Sequence, residues 1–283
     1  MSQIGSSNVA AILDVVPGVV SRSGDKRPGH AKDRLGKLRK SPANDPAKVL
    51  QSFNTWAFKR EQPSDPALIL DVVARAVAEA RPIPFVLYWG KGPRAALAAP
   101  DLRCLDYLAA MAARVRETYA PGAAITLIFT DTHAALNGHA PEHVRSYFDA
   151  VDAAARERGF ESCRLGEVTR AAEAAAVEAC EEAATAPMLA SLQACAAKWF
   201  RGEGTSAEGA LRYYRMNMLE KRAVEHAFPD AVFVTFNGSD YRSLFPVRMP
   251  VFYMYSLQRG FGVKPWFMAA ETAGEPAEPA AQA

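Results

Sequence analysis

The stretch from Tyr119 to His139, Y-A-P-G-A-A-I-T-L-I-F-T-D-T-H-A-A-L-N-G-H, constrains the fold more than any other part of the chain. Its Pro-Gly turn leads into Ala124–Phe129, a short apolar run rich in β-branched and aromatic side chains. A run this short and apolar, bounded by turn residues, predicts a central strand. Strands buried on both faces belong to parallel sheets covered by helices. Thr130, Asp131, Thr132 and His133 follow at its carboxyl end, with Asn137, Gly138 and His139 close behind. Ligands of open α/β sheets bind in the crevice beyond the strand carboxyl ends. This polar loop is therefore a candidate site.

The rest of the chain repeats the alternation. Pro46–Ala57 reads as a helix, and Asp65–Ala80 as an amphipathic helix with Asp65 as cap and Pro66 in the first turn. Pro84–Trp89 reads as a buried strand and Asp101–Tyr119 as a helix with Leu102, Leu105, Leu108, Met111 and Val115 at helical spacing. Pro141–Arg158 is predicted helical and Ser162–Leu165 a short strand. Arg170–Phe200 reads as two helices broken near Pro187, and Ala207–Ala227 as one more. Ala231–Phe236 and Val251–Tyr255 complete the predicted strands. Together they predict an α/β, Rossmann-like fold with a mainly parallel sheet and helices on both faces. The expected organisation is a basic, flexible arm at 1–45, a single α/β catalytic domain at 46–270, and a disordered tail at 271–283.

Composition narrows the functional classes. The chain has 283 residues, 49% hydrophobic and 23% charged, with a formal net charge of +2. Such a charge gives no global drive toward nucleic acid or a membrane surface. No apolar run approaches the ~20 residues that span a bilayer. The N-terminus lacks the order of a signal peptide. Cys104, Cys163, Cys180 and Cys195 form neither a C-x-x-C pair nor a Cys/His metal pattern. A cytoplasmic protein with reduced thiols is expected.

Three loops carry chemistry. W-G-K-G-P-R, Trp89–Arg94, follows a strand, and its glycines let the backbone approach an anion that Lys91 and Arg94 neutralise. In T-D-T-H, Asp131 and His133 are the candidate acid/base groups. A metal reading uses Asp131, His133, His139 and His143. In the third loop, Phe236–Pro250, Asn237, Arg242 and Arg248 are candidates for holding a second anionic group. The clusters R-Y-Y-R (Arg212–Arg215) and E-K-R (Glu220–Arg222) read as a solvated helix face. No G-x-S-x-G elbow or Cys/His dyad supports covalent hydrolysis.

The run P-D-L-R-C-L-D-Y-L-A-A-M-A-A-R-V-R-E-T-Y-A-P-G-A-A-I-T-L-I-F-T-D, Pro100–Asp131, resembles the pyoverdine/dityrosine biosynthesis family, the isocyanide (isonitrile) synthases. The later V-R-S-Y-F-D-A-V, Val144–Val151, also fits. The resemblance implies a Rossmann-like fold and conversion of an amino acid's amino group to an isocyanide, with the carbon taken from ribulose 5-phosphate. It implies that Lys91 and Arg94 serve the phosphate or carboxylate and that Asp131 lies in the active site. No tightly bound organic cofactor is expected; the expected partners are an amino acid, a phosphorylated co-substrate and a downstream oxygenase. W-G-K-G-P-R stands where the family has a proline/lysine/serine-rich segment, and T-D-T-H where it has Ser-Asp-Gly, which marks a divergent branch. The alternatives are a metal-dependent enzyme, and a non-catalytic RNA-associated protein using the basic arm.

Overall fold

Helix starts are written plainly into the chain. Asp45 caps α1 (Pro46–Phe53) through Ala47 N–H, and Asp65 caps α2 (Pro66–Ala78) through Leu68 N–H, each with proline in the first turn. The computed structural model describes residues 45–90, 96–173 and 186–255. After α2 come β1 (Ile83–Trp89), α3 (Ala99–Thr118), β2 (Ala123–Phe129), α4 (Asp131–Leu136) and α5 (Pro141–Arg156). Then follow β3 (Glu161–Arg164), α6 (Leu165–Glu173), α7 (Ala186–Trp199), α8 (Ser206–Ala227), β4 (Val232–Thr235), a 3-10 turn at Ser239–Leu244, and β5 (Val251–Tyr253).

The five strands form one sheet in the order β3-β2-β1-β4-β5, every pair parallel. Alternate residues of each strand feed opposite cores. Phe85, Leu87, Trp89, Leu127, Phe129, Val232 and Val234 pack under α1, α2, α3 and α5. Val86, Ile128, Phe233, Val251 and Tyr253 pack under α6, α7, α8 and the 3-10 turn. The arrangement is a doubly wound α/β sheet, as the alternation of strands and helices predicts. The β5 edge is closed by the chain at 58–60: Arg60 N–H donates to Tyr253 O and Tyr255 N–H to Phe58 O.

Strand order reverses direction at β1, whose neighbours are β2 and β4. That reversal opens the crevice at the carboxyl ends of β1, β2 and β4. Two differences from the sequence reading bear on it. The segment read as a loop after β2 is the short helix α4. The helix before β4, read as solvated at Glu220–Arg222, buries Glu220 and Lys221 completely or nearly so. The expected N-terminal arm and C-terminal tail lie outside the described residues, as do Lys91 and Arg94. Among the described residues no helix is long and apolar enough to cross a membrane.

Candidate active site

The site grows from β2. Thr130 ends the strand, and its hydroxyl donates to Trp89 O at 3.2 Å, tying the ends of β1 and β2 together. Asp131, Thr132 and His133 then form the first turn of α4. Glu220, 0% exposed at the middle of α8, reaches this turn from the other side of the crevice. Its Oε1 accepts the Thr132 hydroxyl at 2.5 Å, and its Oε2 pairs with His133 Nε2 at 2.7 Å. Tyr213, two turns earlier on α8, stands edge-on to the His133 ring at 5.2 Å. Tyr88 of β1 stands edge-on at 6.3 Å on another side.

α8 delivers these groups because its buried stripe is mixed. Ala210, Tyr213, Asn217, Glu220 and Val224 recur at three- and four-residue spacing and all are buried. A capping box fixes the helix start: Thr205 Oγ1 accepts Glu208 N–H, and Glu208 accepts Thr205 N–H in return. The Thr205 N–H and then the Thr205 hydroxyl, both donating to the Glu208 carboxylate, lower its pKa from the ordinary value.

Two polar atoms on these surfaces are buried without a hydrogen-bond partner among the described residues: the Tyr88 hydroxyl and Asn217 Oδ1. Burial pushes the Tyr88 phenol well above its ordinary value, and the nearby Glu220, Tyr213 and Glu225 add to the effect. Tyr88 therefore keeps its proton and retains an O–H to donate. Asn237, at the end of β4, likewise carries a buried Oδ1 with no partner among the described residues.

Other predicted site residues are placed differently. Asp131 turns toward α6, where its Oδ1 accepts the Gly166 N–H at 3.0 Å at the start of that helix. Gly166 permits this approach, since a Cβ there would meet Asp131 Oδ2 at 3.0 Å. Trp89 belongs to the core on the opposite face: it is 2% exposed and its indole N–H donates to the Tyr147 hydroxyl at 3.3 Å. Strand alternation explains this, because adjacent Tyr88 and Trp89 must face opposite layers. Arg242 directs its guanidinium to the carbonyls of Pro246 and Val247 and so holds the loop before β5. Arg248 is exposed, and its main-chain N–H donates to Glu225 Oε1 at 2.7 Å.

The four-residue metal set is not assembled. His133 gives Nε2 to Glu220, while exposed His143 lies beside His139 on the α5 side. Burial, and then the neighbouring His143, lower the His139 pKa. Among the described residues no group of three or more His, Cys, Asp or Glu side chains is placed to hold a metal ion.

Sequence reasoning missed Glu220. The signal was its phase: it lies seven residues after Tyr213 and four before Val224, within the apolar stripe. A buried carboxylate there required a partner from elsewhere in the fold.

Fold and site together define a doubly wound α/β protein with a carboxylate-held histidine at the carboxyl end of its sheet. The same fold is seen in the crystal structure of the PvcA protein from Pseudomonas aeruginosa, with a TM-score of 0.58 and 19% identity over 78% of this chain and 87% of that one. No protein-family model matches the sequence, and no curated protein does.

Proposed function

We propose that the protein is a biosynthetic enzyme resembling the isocyanide synthases, acting on the amino group of an amino acid or related amine with a sugar phosphate as carbon donor. The observation that carries this reading is the pairing of Glu220 of α8 with His133 of α4, the helix directly after the strand whose sequence resembles that family. The fold shared with the PvcA protein is the α/β fold this reading requires.

The chemistry matches the arrangement. Every N–H of an ammonium group must be lost on the way to R–NC, so the site needs a group that takes protons repeatedly near neutral pH. Histidine serves that need. His133 takes this role, and Asp131 organises the adjoining start of α6. Lys91 and Arg94 hold the phosphate or carboxylate after β1, where charge-assisted hydrogen bonds position an anion.

The test is incubation of the full-length protein with ribulose 5-phosphate and a panel of amino acids, read by mass spectrometry. The expected product is the neutral amine with one carbon gained and two hydrogens lost, absent in His133→Gln. Folded protein that converts no amine in the panel overturns the assignment of this reaction.

A further inference from the structure

We infer that Glu220 is the positioning residue of this site, holding His133 by its Nε2–H so that Nδ1 is the nitrogen that exchanges protons with the reacting group. The inference rests on the catalytic reading of His133 given above.

The geometry is a clamp with two points of attachment. Both oxygens of the Glu220 carboxylate are engaged, one by the Thr132 hydroxyl at 2.5 Å and one by His133 Nε2 at 2.7 Å. Thr132 and His133 are neighbours in the first turn of a six-residue helix, α4. A single bond would let that short helix swing about it; two bonds to one rigid carboxylate fix its rotation. The carboxylate itself cannot move far, because Glu220 is 0% exposed and its neighbours on the helix, Lys221, Ala223 and Val224, are buried with it.

The tautomer follows from the inventory of donors. A carboxylate only accepts, and the Thr132 hydroxyl donates to the other oxygen, so His133 Nε2 must carry the hydrogen it shares with Oε2. In the neutral ring the free lone pair is then on Nδ1. Nδ1 has no hydrogen-bond partner among the described residues, and the side chain retains 16% exposure. The rings of Tyr88 and Tyr213 stand edge-on to the imidazole at 6.3 and 5.2 Å and limit its rotation. Carboxylates that fix a histidine's ring orientation and tautomer from behind serve this purpose in other enzymes, and removing them costs rate rather than binding.

The orientation is read directly on 15N-labelled full-length protein by two-bond 1H–15N imidazole correlation, with His133 assigned by its loss in His133→Gln. With the ring brought to its neutral form, the Nε2–H tautomer is expected, and a dominant Nδ1–H form overturns the inference. In Glu220→Gln, whose amide can offer an N–H to the ring, the Nε2–H preference is expected to be lost. Turnover should then fall about 100-fold or more in kcat with KM changed only a few-fold. Glu220→Asp, which keeps the charge, is expected to keep the Nε2–H form. A Glu220→Gln protein that is folded and retains native kcat overturns the inference. If the wild-type protein converts no amine, the reaction assignment has failed, and the wild-type tautomer still decides the role of Glu220.

Discussion

Replacing Tyr88 by phenylalanine removes one oxygen atom from the wall of the site, and the structure sets the sign of the effect. The Tyr88 ring packs edge-on against Phe233 at 5.0 Å, a contact phenylalanine preserves. The hydroxyl is buried and has no hydrogen-bond partner among the described residues. Keeping such a group dry and unpaired costs roughly 1–3 kcal/mol. Removing it opens a void of about one hydroxyl, on the order of 10–15 Å³. At about 24 cal/mol per Å³ that void returns only ~0.3 kcal/mol of instability. The expected net gain is about 1–2 kcal/mol, or roughly 2–8 °C in Tm for a domain of this size. Thermal and urea unfolding of the full-length protein measure it, with an unchanged m-value showing that only stability moved. On the proposed function, turnover should also fall in the same variant, since an unpaired hydroxyl kept beside His133 at a cost to stability is available to a substrate. A Tm that drops by several degrees would refute the reasoning, because it would mean that the hydroxyl makes a hydrogen bond in the native protein.

Other positions test other parts of the site. Gly202→Ala places a Cβ against the Leu136 carbonyl at the end of α4 and 2.7 Å from two carbons of the Phe200 ring. The expected cost is about 1–3 kcal/mol by chemical denaturation, together with lower kcat because α4 carries His133; unchanged stability and rate would count against this packing. Burial, followed by the charges of Glu167 and Asp131, pushes the Cys163 thiol up to about 11. Alkylation at pH 8, mapped by peptide mass, should therefore be on the order of 100-fold slower than for an ordinary thiol. Asp131→Asn should speed it, because removing a negative neighbour lowers the pKa. His139 has its pKa lowered by burial first and His143 second. The unfolded chain then binds the proton more tightly, so stability is full above the ordinary histidine range and falls as pH drops through about 6.5 toward the depressed folded value. His139→Gln should flatten that part of the stability–pH profile, and an unchanged profile would remove His139 as its source.

The strands and the cap at Asp65 were legible because their signals are local. Ala124–Phe129 and Pro84–Trp89 are continuous apolar runs between turn residues, and the structure extends each by only a residue. Asp65-Pro66 carries its own capping chemistry within four residues. The sequence also pointed to the crevice, since a polar cluster after a buried strand can lie only at the sheet's carboxyl edge. The chemistry inside that crevice was harder to read, because its decisive bond joins residues 87 positions apart. Nothing near His133 distinguishes a histidine held by Glu220 from one ligating a metal with His139. The same distance explains Asp131: its partner Gly166 lies 35 residues on, so a carboxylate that looks catalytic in the sequence sits against the start of a helix in the fold. What the sequence did contain was the phase of α8, where Glu220 places a charge within the buried stripe. A charge in the buried phase of a helix demands a partner, and in a doubly wound sheet that demand falls on the strand ends it faces. Glu220 and the polar turn after β2 therefore identify each other, and the pair marks the candidate site more sharply than either element does alone.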